Sequence, residues 1–141
     1  MPDVEVGGHS FQYMELDGER PTVLLLCSTG LDSKQWKGII PHLEGRRILC
    51  PHYLCYPGTD GWKGDGEIDS WMDYRACETL LLAEDGPVDI IGHSYGGFIA
   101  LNLAKMHPER IRRMAFHEPI VWGVPPAHRA CRFEERVRRG G

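Results

Sequence analysis

The 141-residue chain carries 16 Lys and Arg against 20 Asp and Glu, a formal net charge of −4, and 42% of its residues are hydrophobic. This length and composition are typical of one globular domain, and the weak negative charge argues against a nucleic-acid partner. The sequence shows no apolar stretch of membrane-spanning length and no signal-peptide core, so we expect a cytoplasmic protein without a membrane partner. Its five cysteines show no paired spacing, which favours reduced thiols and argues against a metal cluster.

The first third of the chain alternates strand and helix patterns. HSFQYMELDG (9–18) predicts a strand closed by an Asp-Gly turn, and the unbroken apolar run in PTVLLLCSTG (21–30) predicts a strand that is buried on both faces. DSKQWKGIIPHL (32–43) then has the pattern of a short helix with Asp32 or Ser33 as its N-cap.

The middle of the chain repeats this alternation. RRILCPHYL (46–54) predicts a second buried strand, and the glycine-rich segment 55–69 predicts a loop. Helical spacing of apolar residues follows in 69–86. PVDIIGHS (87–94) predicts a strand, and YGGFIALNLAKMH (95–107) predicts a helix that ends before a proline.

The last segments complete the pattern. RIRRMAFHEPIVWG (110–123) predicts another strand, and the basic segment AHRACRFEERVRR (127–139) predicts a short helix. Repeated strand–helix–strand order predicts an α/β fold, in which helices flank a mostly parallel central sheet.

A serine lies between two glycines, in GHSYG, where the strand at 87–94 becomes a helix. Reactive groups collect at the carboxyl ends of parallel strands, and a sharp turn there would hold Ser94 in a strained backbone conformation with its hydroxyl projecting. We expect Gly92 and Gly96 to remove side chains that would collide across the turn. The helix that begins at Tyr95 would point its free N–H groups at an oxyanion. The motif therefore indicates a nucleophile; the alternative is a small N-cap serine beside glycines that allow close strand–helix packing.

The order and spacing of three blocks resemble the α/β-hydrolase family over about residues 9–124. The blocks are PTVLLLCSTGLDSKQW, ILCPHYLCYPGTDGW and VDIIGHSYGGFIALNLAKMHPERIRRMAFHEPI. The resemblance implies that Ser94 is the nucleophile and that the N–H groups of Thr29 and Tyr95 form the oxyanion hole. Cys27 and Ser28 stand where the family usually has His-Gly. The resemblance also implies a small-molecule substrate with an ester or related acyl bond, no cofactor and no metal.

The catalytic base is not identifiable in this sequence. The family's chain order is Ser, then Asp or Glu, then His. His93 adjoins the serine inside the motif, and a structural role is favoured for it. His117 and His128 follow the serine, and structural roles are favoured for both; His128 would reach the site only if its segment folds back. Glu118 is a candidate acid, because it ends the strand after the elbow helix; a structural Glu beside Pro119 is an equal alternative.

We therefore expect residues 1–125 to form an incomplete α/β-hydrolase core and residues 126–141 to form a basic helical or disordered tail. Three explanations for the missing base stay open: a fragment of a longer hydrolase, a truncated or frameshifted product, or a short hydrolase that self-associates. The strand at 110–123 would lie at a sheet edge, through which two copies would pair. The alternative function is a catalytically impaired fold that serves as a binding or assembly module.

Overall fold

The computed structural model describes residues 1–43, 45–69 and 71–120. Its strands are β1 (Asp3–Val6), β2 (His9–Leu16), β3 (Glu19–Leu26), β4 (Arg46–Pro51), β5 (Val88–His93) and β6 (Ile111–His117). Its α-helices are α1 (Trp71–Ala83) and α2 (Tyr95–Met106), and its 3-10 helices are Ser33–Gly38, Ile40–His42 and Pro108–Arg110. The predicted helix at 127–139 and the tail at 126–141 lie outside the described residues.

The six strands form one mixed sheet in the order β1-β2-β4-β3-β5-β6. β3 pairs in parallel with β4 and β5, and β5 pairs in parallel with β6, whereas β1 and β2 are antiparallel additions. The predicted α/β class and mostly parallel sheet are therefore confirmed, although the sequence patterns missed β1. Because β3 to β6 run in the same direction, their carboxyl ends meet at one edge of the sheet, where ligands bind in folds of this type.

The core lies on both faces of β3. Thr22, Val23 and Leu24 are 1–2% exposed, and Leu25 and Leu26 have no exposed area. One core cluster joins this strand to β4, β5, α1 and α2. The unbroken apolar run in the sequence thus corresponds to a strand covered on two sides, which removes a large apolar area from water.

The short helix that the sequence predicts at 32–43 is divided into two pieces in the structure. It forms two 3-10 helices, and Pro41 lies at the first turn of the second. A proline lacks a backbone N–H and its ring clashes with the carbonyl four residues earlier, so an α-helix cannot continue through this position. Asp32 is the N-cap, as predicted, and its Oδ1 accepts a hydrogen bond from the N–H of Lys34 at 2.8 Å.

β6 forms an exposed edge of the sheet among the described residues. β6 pairs only with β5 among the described strands, and Met114 and Phe116 are 37% and 38% exposed. None of the helices in the described ranges has the length and apolar character that crossing a membrane requires.

Candidate active site

Ser94 lies at the turn between the last residue of β5 and the first residue of α2. Its backbone has φ 52° and ψ −113°, a conformation that is costly for a residue with a side chain and that clusters at functional sites. The strain that the motif predicts at this position is therefore present. The side chain makes no capping hydrogen bond to α2, which argues against the N-cap alternative. Within the described residues, the Ser94 hydroxyl has no hydrogen-bond partner.

The glycines around the serine are required by close backbone contacts. A Cβ atom on Gly92 would lie 2.9 Å from the carbonyl oxygen of Gly96 and 2.9 Å from the N atom of Gly97. This is the collision across the turn that the sequence predicts. A Cβ atom on Gly96 would instead overlap the carbonyl group of Leu26 at the end of β3. The second glycine therefore lets α2 approach β3.

Backbone hydrogen bonds hold the turn against β6, the residues after β6 and the first turn of α2. The N–H of Ser94 donates to the carbonyl of His117 at 3.0 Å, and the Ser94 carbonyl accepts from the N–H of Ile120 at 3.0 Å and of Phe98 at 3.2 Å. These bonds offset part of the cost of the strained conformation, because each would otherwise leave a half-buried polar group without a protein partner.

The loop after β3 contains an amide, that of Thr29, without an acceptor among the described residues. Three of its N–H groups have acceptors: Ser28 donates to Oε1 of Gln35 at 3.0 Å, Gly30 to the Tyr56 hydroxyl, and Leu31 to the Ser28 carbonyl at 3.3 Å. The intervening N–H of Thr29 has no acceptor in the part of the chain that the structure describes. An amide donor without a protein acceptor is available for an oxyanion, and Thr29 is the residue that the family resemblance indicates.

Buried side chains form hydrogen bonds to Cys27, at the start of this loop. The Tyr53 hydroxyl donates to the carbonyl of Cys27 at 2.8 Å, and Nε1 of Trp36 donates to its Sγ at 3.2 Å. The Sγ atoms of Cys27 and Cys50 are 3.5 Å apart. The hydrogen bond from Cys50 lowers the pKa of the Cys27 thiol, with a further contribution from Trp36, despite burial. The path of the chain just before Thr29 is thus held by β4 and by the first 3-10 helix.

Tyr95, the residue after the serine, opens α2 and is anchored by its side chain. Its hydroxyl donates to Oδ2 of Asp73 at 3.0 Å, and its ring makes an edge contact with Tyr53 at 5.1 Å. Burial raises the pKa of Tyr95, and the neighbouring Asp73 carboxylate raises it further. Burial also raises the pKa of Asp73. This packing fixes where the first turn of α2 lies relative to β3.

His93, His117 and Glu118 come together beside the turn. His93 and His117 are register partners on β5 and β6, and their ring centroids are 4.9 Å apart. Glu118 has φ 45°, and one ligand atom from each of the three residues lies within 4.8 Å of the others. This group is the set of described residues that could hold a metal ion. The candidate acid Glu118 therefore lies beside His93 and His117, for which the sequence favours structural roles.

A hydrogen bond to His93 opposes metal binding by this group. Nε2 of Gln35 lies 2.6 Å from Nδ1 of His93. Oε1 of Gln35 accepts the Ser28 N–H, so the amide nitrogen faces His93 and donates to Nδ1. The neutral ring then carries its proton on Nε2. A metal ion at either ring nitrogen would have to displace the amide group or that proton. That the protein works without a metal stays a prediction.

The other described histidines do not bond to the Ser94 hydroxyl. His9 bonds to the carbonyl of Gly7 and stacks on Trp62. His52 is 3% exposed, and burial lowers its pKa. His107 pairs with Glu78. No catalytic base is therefore assigned among the described histidines. His128 lies outside the described residues.

Comparisons with known proteins identify the family. A family model described as the alpha/beta hydrolase fold matches residues 22–137. The chain belongs to this family, as its three sequence blocks indicate.

Three relatives illustrate the similarity. The chain is 34% identical to 2-hydroxymuconate semialdehyde hydrolase of Pseudomonas sp. (strain CF600), over 85% of this chain and 44% of the relative. It is 30% identical to a pimeloyl-[acyl-carrier protein] methyl ester esterase of Aeromonas hydrophila, over 72% of this chain and 39% of the relative. A solved structure of a serine hydrolase involved in carbazole degradation matches with a TM-score of 0.71 and 26% identity, over 87% of this chain and 49% of that one. The chain thus spans less than half the length of these relatives.

Gln35 is the residue at this site that sequence reasoning missed. It lies between a basic residue and a buried tryptophan in a predicted helix, and neither its type nor its spacing indicates a role there. Its partners come from the loop after β3 and from the end of β5, which only the folded chain brings together.

Proposed function

We propose that this chain is a serine hydrolase that acts on an ester or a related acyl bond of a small molecule. The observation that carries the proposal is Ser94: its backbone is strained at φ 52°, its hydroxyl is uncommitted among the described residues, and it stands where β5 meets α2. Natural proteins retain such strain mainly where it has a function.

The proposed reaction begins when Oγ of Ser94 attacks the substrate carbonyl and its proton passes to a base. The carbonyl π electrons move to the oxygen, which the N–H groups of Thr29 and Tyr95 stabilise. Collapse of this intermediate breaks the bond to the leaving oxygen, which takes the proton from the base and departs as the alcohol, and leaves an acyl-enzyme. Water then releases the acid and restores the serine.

The proposed acid comes from the end of β6. Glu118 is the proposed acid, because it lies beside His93 and His117 at the carboxyl end of β6. The base is not assigned. Backbone donors and substrate binding alone would keep a small fraction of the full rate, several orders of magnitude below that of a complete triad.

Two of the relatives support an acyl substrate for this chain, although their names do not fix which one. One of them is called a hydrolase and another a methyl ester esterase, so a carboxylic ester or a related carbonyl-activated bond is the class of substrate that we infer. The reaction needs no cofactor. The four described cysteines are free, which supports our inference that the protein is cytoplasmic.

A fluorophosphonate probe tests the proposal directly. We expect a covalent adduct on Ser94 by intact-protein and peptide mass spectrometry, and none in Ser94→Ala, while Ser33→Ala, which removes another serine of low exposure (6%), should keep the adduct. Ser94→Ala should also lose turnover of short p-nitrophenyl esters, and Ser33→Ala should keep it. Absence of both the adduct and ester turnover in the unaltered protein would contradict the proposal.

A second candidate function rests on the lack of a partner for the Ser94 hydroxyl among the described residues. None of the described histidines bonds to the Ser94 hydroxyl, so a non-catalytic binding or assembly module with an α/β-hydrolase fold is the alternative. A folded protein that neither reacts with the probe nor hydrolyses the esters would favour this module.

A further inference from the structure

We propose that Gln35 is a positioning residue. Its side-chain amide holds the loop after β3 that carries Thr29, here called the oxyanion loop, against the end of β5, and it sets which nitrogen of His93 carries the proton. The proposal deepens, and for its effect on catalysis rests on, the proposed roles of Ser94 and Thr29. It also makes a structural claim that can be tested without any reaction.

One amide group contacts both halves of the candidate site. Oε1 of Gln35 accepts the N–H of Ser28 at 3.0 Å, and its Nε2 lies 2.6 Å from Nδ1 of His93, 58 residues further along the chain. The parallel pairing of β3 with β5 ends at Leu26 and Gly92. The Gln35 side chain therefore joins the two segments just beyond the last paired residues, where the backbones no longer pair.

The base of this side chain is itself held in place. Gln35 lies on the 3-10 helix Ser33–Gly38, which Asp32 caps at its start. The next residue, Trp36, is 4% exposed and bonds to Sγ of Cys27. A glutamine on such an anchored segment loses less conformational entropy on forming two hydrogen bonds than a freely exposed one would.

The first consequence concerns the oxyanion loop. Gln35 takes the N–H of Ser28, and the next amide, that of Thr29, has no acceptor among the described residues and is the proposed donor to the substrate. The same bond restrains the loop on the side that faces β5 and the serine. A displacement of about 1 Å at such a donor can lower a rate by about 100-fold, so losing the restraint should affect reaction more than substrate binding.

The second consequence concerns His93, which directly precedes the serine. An amide N–H at Nδ1 requires a lone pair there, so the neutral ring has its proton on Nε2. The groups that face this ring are His117 and Glu118. A carboxylate at position 35 would reverse the preference, because it accepts hydrogen bonds only and would favour a proton on Nδ1.

Two variants separate these consequences. Gln35→Met keeps the approximate size of the side chain and removes both hydrogen bonds. Gln35→Glu keeps an acceptor for the Ser28 N–H, but it replaces the amide donor that faces Nδ1 of His93 with an acceptor. The matched control is Lys34→Met, because Lys34 is the preceding residue on the same short helix and its side chain is 89% exposed.

The primary measurement is the tautomer of His93, read from long-range ¹H–¹⁵N spectra of labelled protein near pH 8. We expect a protonated Nε2 and an unprotonated Nδ1 in the unaltered protein and in Lys34→Met. Gln35→Glu should place a proton on Nδ1. Gln35→Met should lose the preference and accelerate hydrogen exchange of the Ser28 amide, whereas Gln35→Glu should keep that amide protected. A proton on Nδ1 in the unaltered protein, or one tautomer shared by all four proteins, would overturn the proposal.

The second measurement is the rate of fluorophosphonate labelling at Ser94, with kcat and KM for a p-nitrophenyl ester. We expect Gln35→Met to lower the labelling rate and kcat about tenfold or more with little change in KM, and Lys34→Met to have no effect. Equal rates in Gln35→Met and the unaltered protein would overturn the positioning role. If Ser94 does not react in any of the proteins, the proposed function fails, and the spectra still decide whether Gln35 holds the loop and His93.

Discussion

β3 and β6 belong to the same sheet, but their surroundings differ. The last five residues of β3 are at most 2% exposed, whereas six of the seven residues of β6 are exposed and its first residue is half-buried. The loop that carries Thr29 follows β3, and Glu118 follows β6. The proposed donor side of the site is therefore built on the packed interior, and the proposed acid side on the open edge of the described sheet.

The largest expected difference is in the cost of truncating a side chain on each strand. Leu25→Ala should lower the free energy of unfolding by about 3 kcal/mol, because Leu25 has no exposed area and a cavity would remain. Met114→Ala on β6 should change it by less than about 0.5 kcal/mol, since the side chain is 37% exposed. Urea denaturation followed by circular dichroism measures both. Equal losses would mean that β6 is as well packed in solution as β3.

The contact between α2 and the end of β3 gives the next effect. Gly96→Ala should cost about 2 kcal/mol and abolish labelling of Ser94, because the added methyl overlaps the rigid backbone of Leu26. Gly86→Ala is the matched control, as a Cβ atom there meets nothing within 4 Å. Thermal unfolding and probe labelling of both variants test this, and retention of labelling in Gly96→Ala would contradict the required close approach.

An ion-pair cluster at the amino ends of β4, β5 and β6 predicts a pH effect. Asp89 on β5 bonds to Arg112 on β6 at 2.6 Å and to Arg46 on β4 at 2.9 Å. Hydrogen bonds from Arg112 and then from Arg46 outweigh burial and lower the pKa of Asp89 to about 2.

The sign follows from the lowered pKa. The ionised form of Asp89 stabilises the fold above its unfolded pKa of about 4, and this contribution is lost as the pH falls from about 4 to 2. Asp89→Asn should therefore be less stable than the unaltered protein by about 1 kcal/mol at pH 6, and the two stabilities should converge near pH 2. A difference that persists unchanged at pH 2 would show that the loss comes from packing.

The smallest expected effect on stability is at the edge of β6. We propose that two copies pair through this strand, and Met114→Lys should change the unfolding free energy by less than about 0.5 kcal/mol while reducing self-association, because a lysine on an edge strand opposes strand addition. Sedimentation velocity over a range of concentrations measures the monomer fraction. Identical concentration dependence in both proteins would contradict pairing through β6.

Local patterns in the sequence predicted much of this molecule. The apolar run at 21–30, the turn-flanked segments and GHSYG predicted the α/β class, the four parallel strands and the strained turn at Ser94. Such features depend on neighbours within a few residues, so periodicity and turn chemistry report them. The short helix predicted at 32–43 is divided into two 3-10 helices, because Pro41 interrupts a continuous helix.

Tertiary structure alone decided the rest. The place of β1 and β2, the group of His93, His117 and Glu118, and the link from Gln35 to both Ser28 and His93 join segments that lie far apart along the chain. Contacts of this kind depend on where whole strands and loops finally pack. A glutamine in a short helix carries no local mark of the partners it will meet, since those partners come together only when β3 and β5 pair side by side.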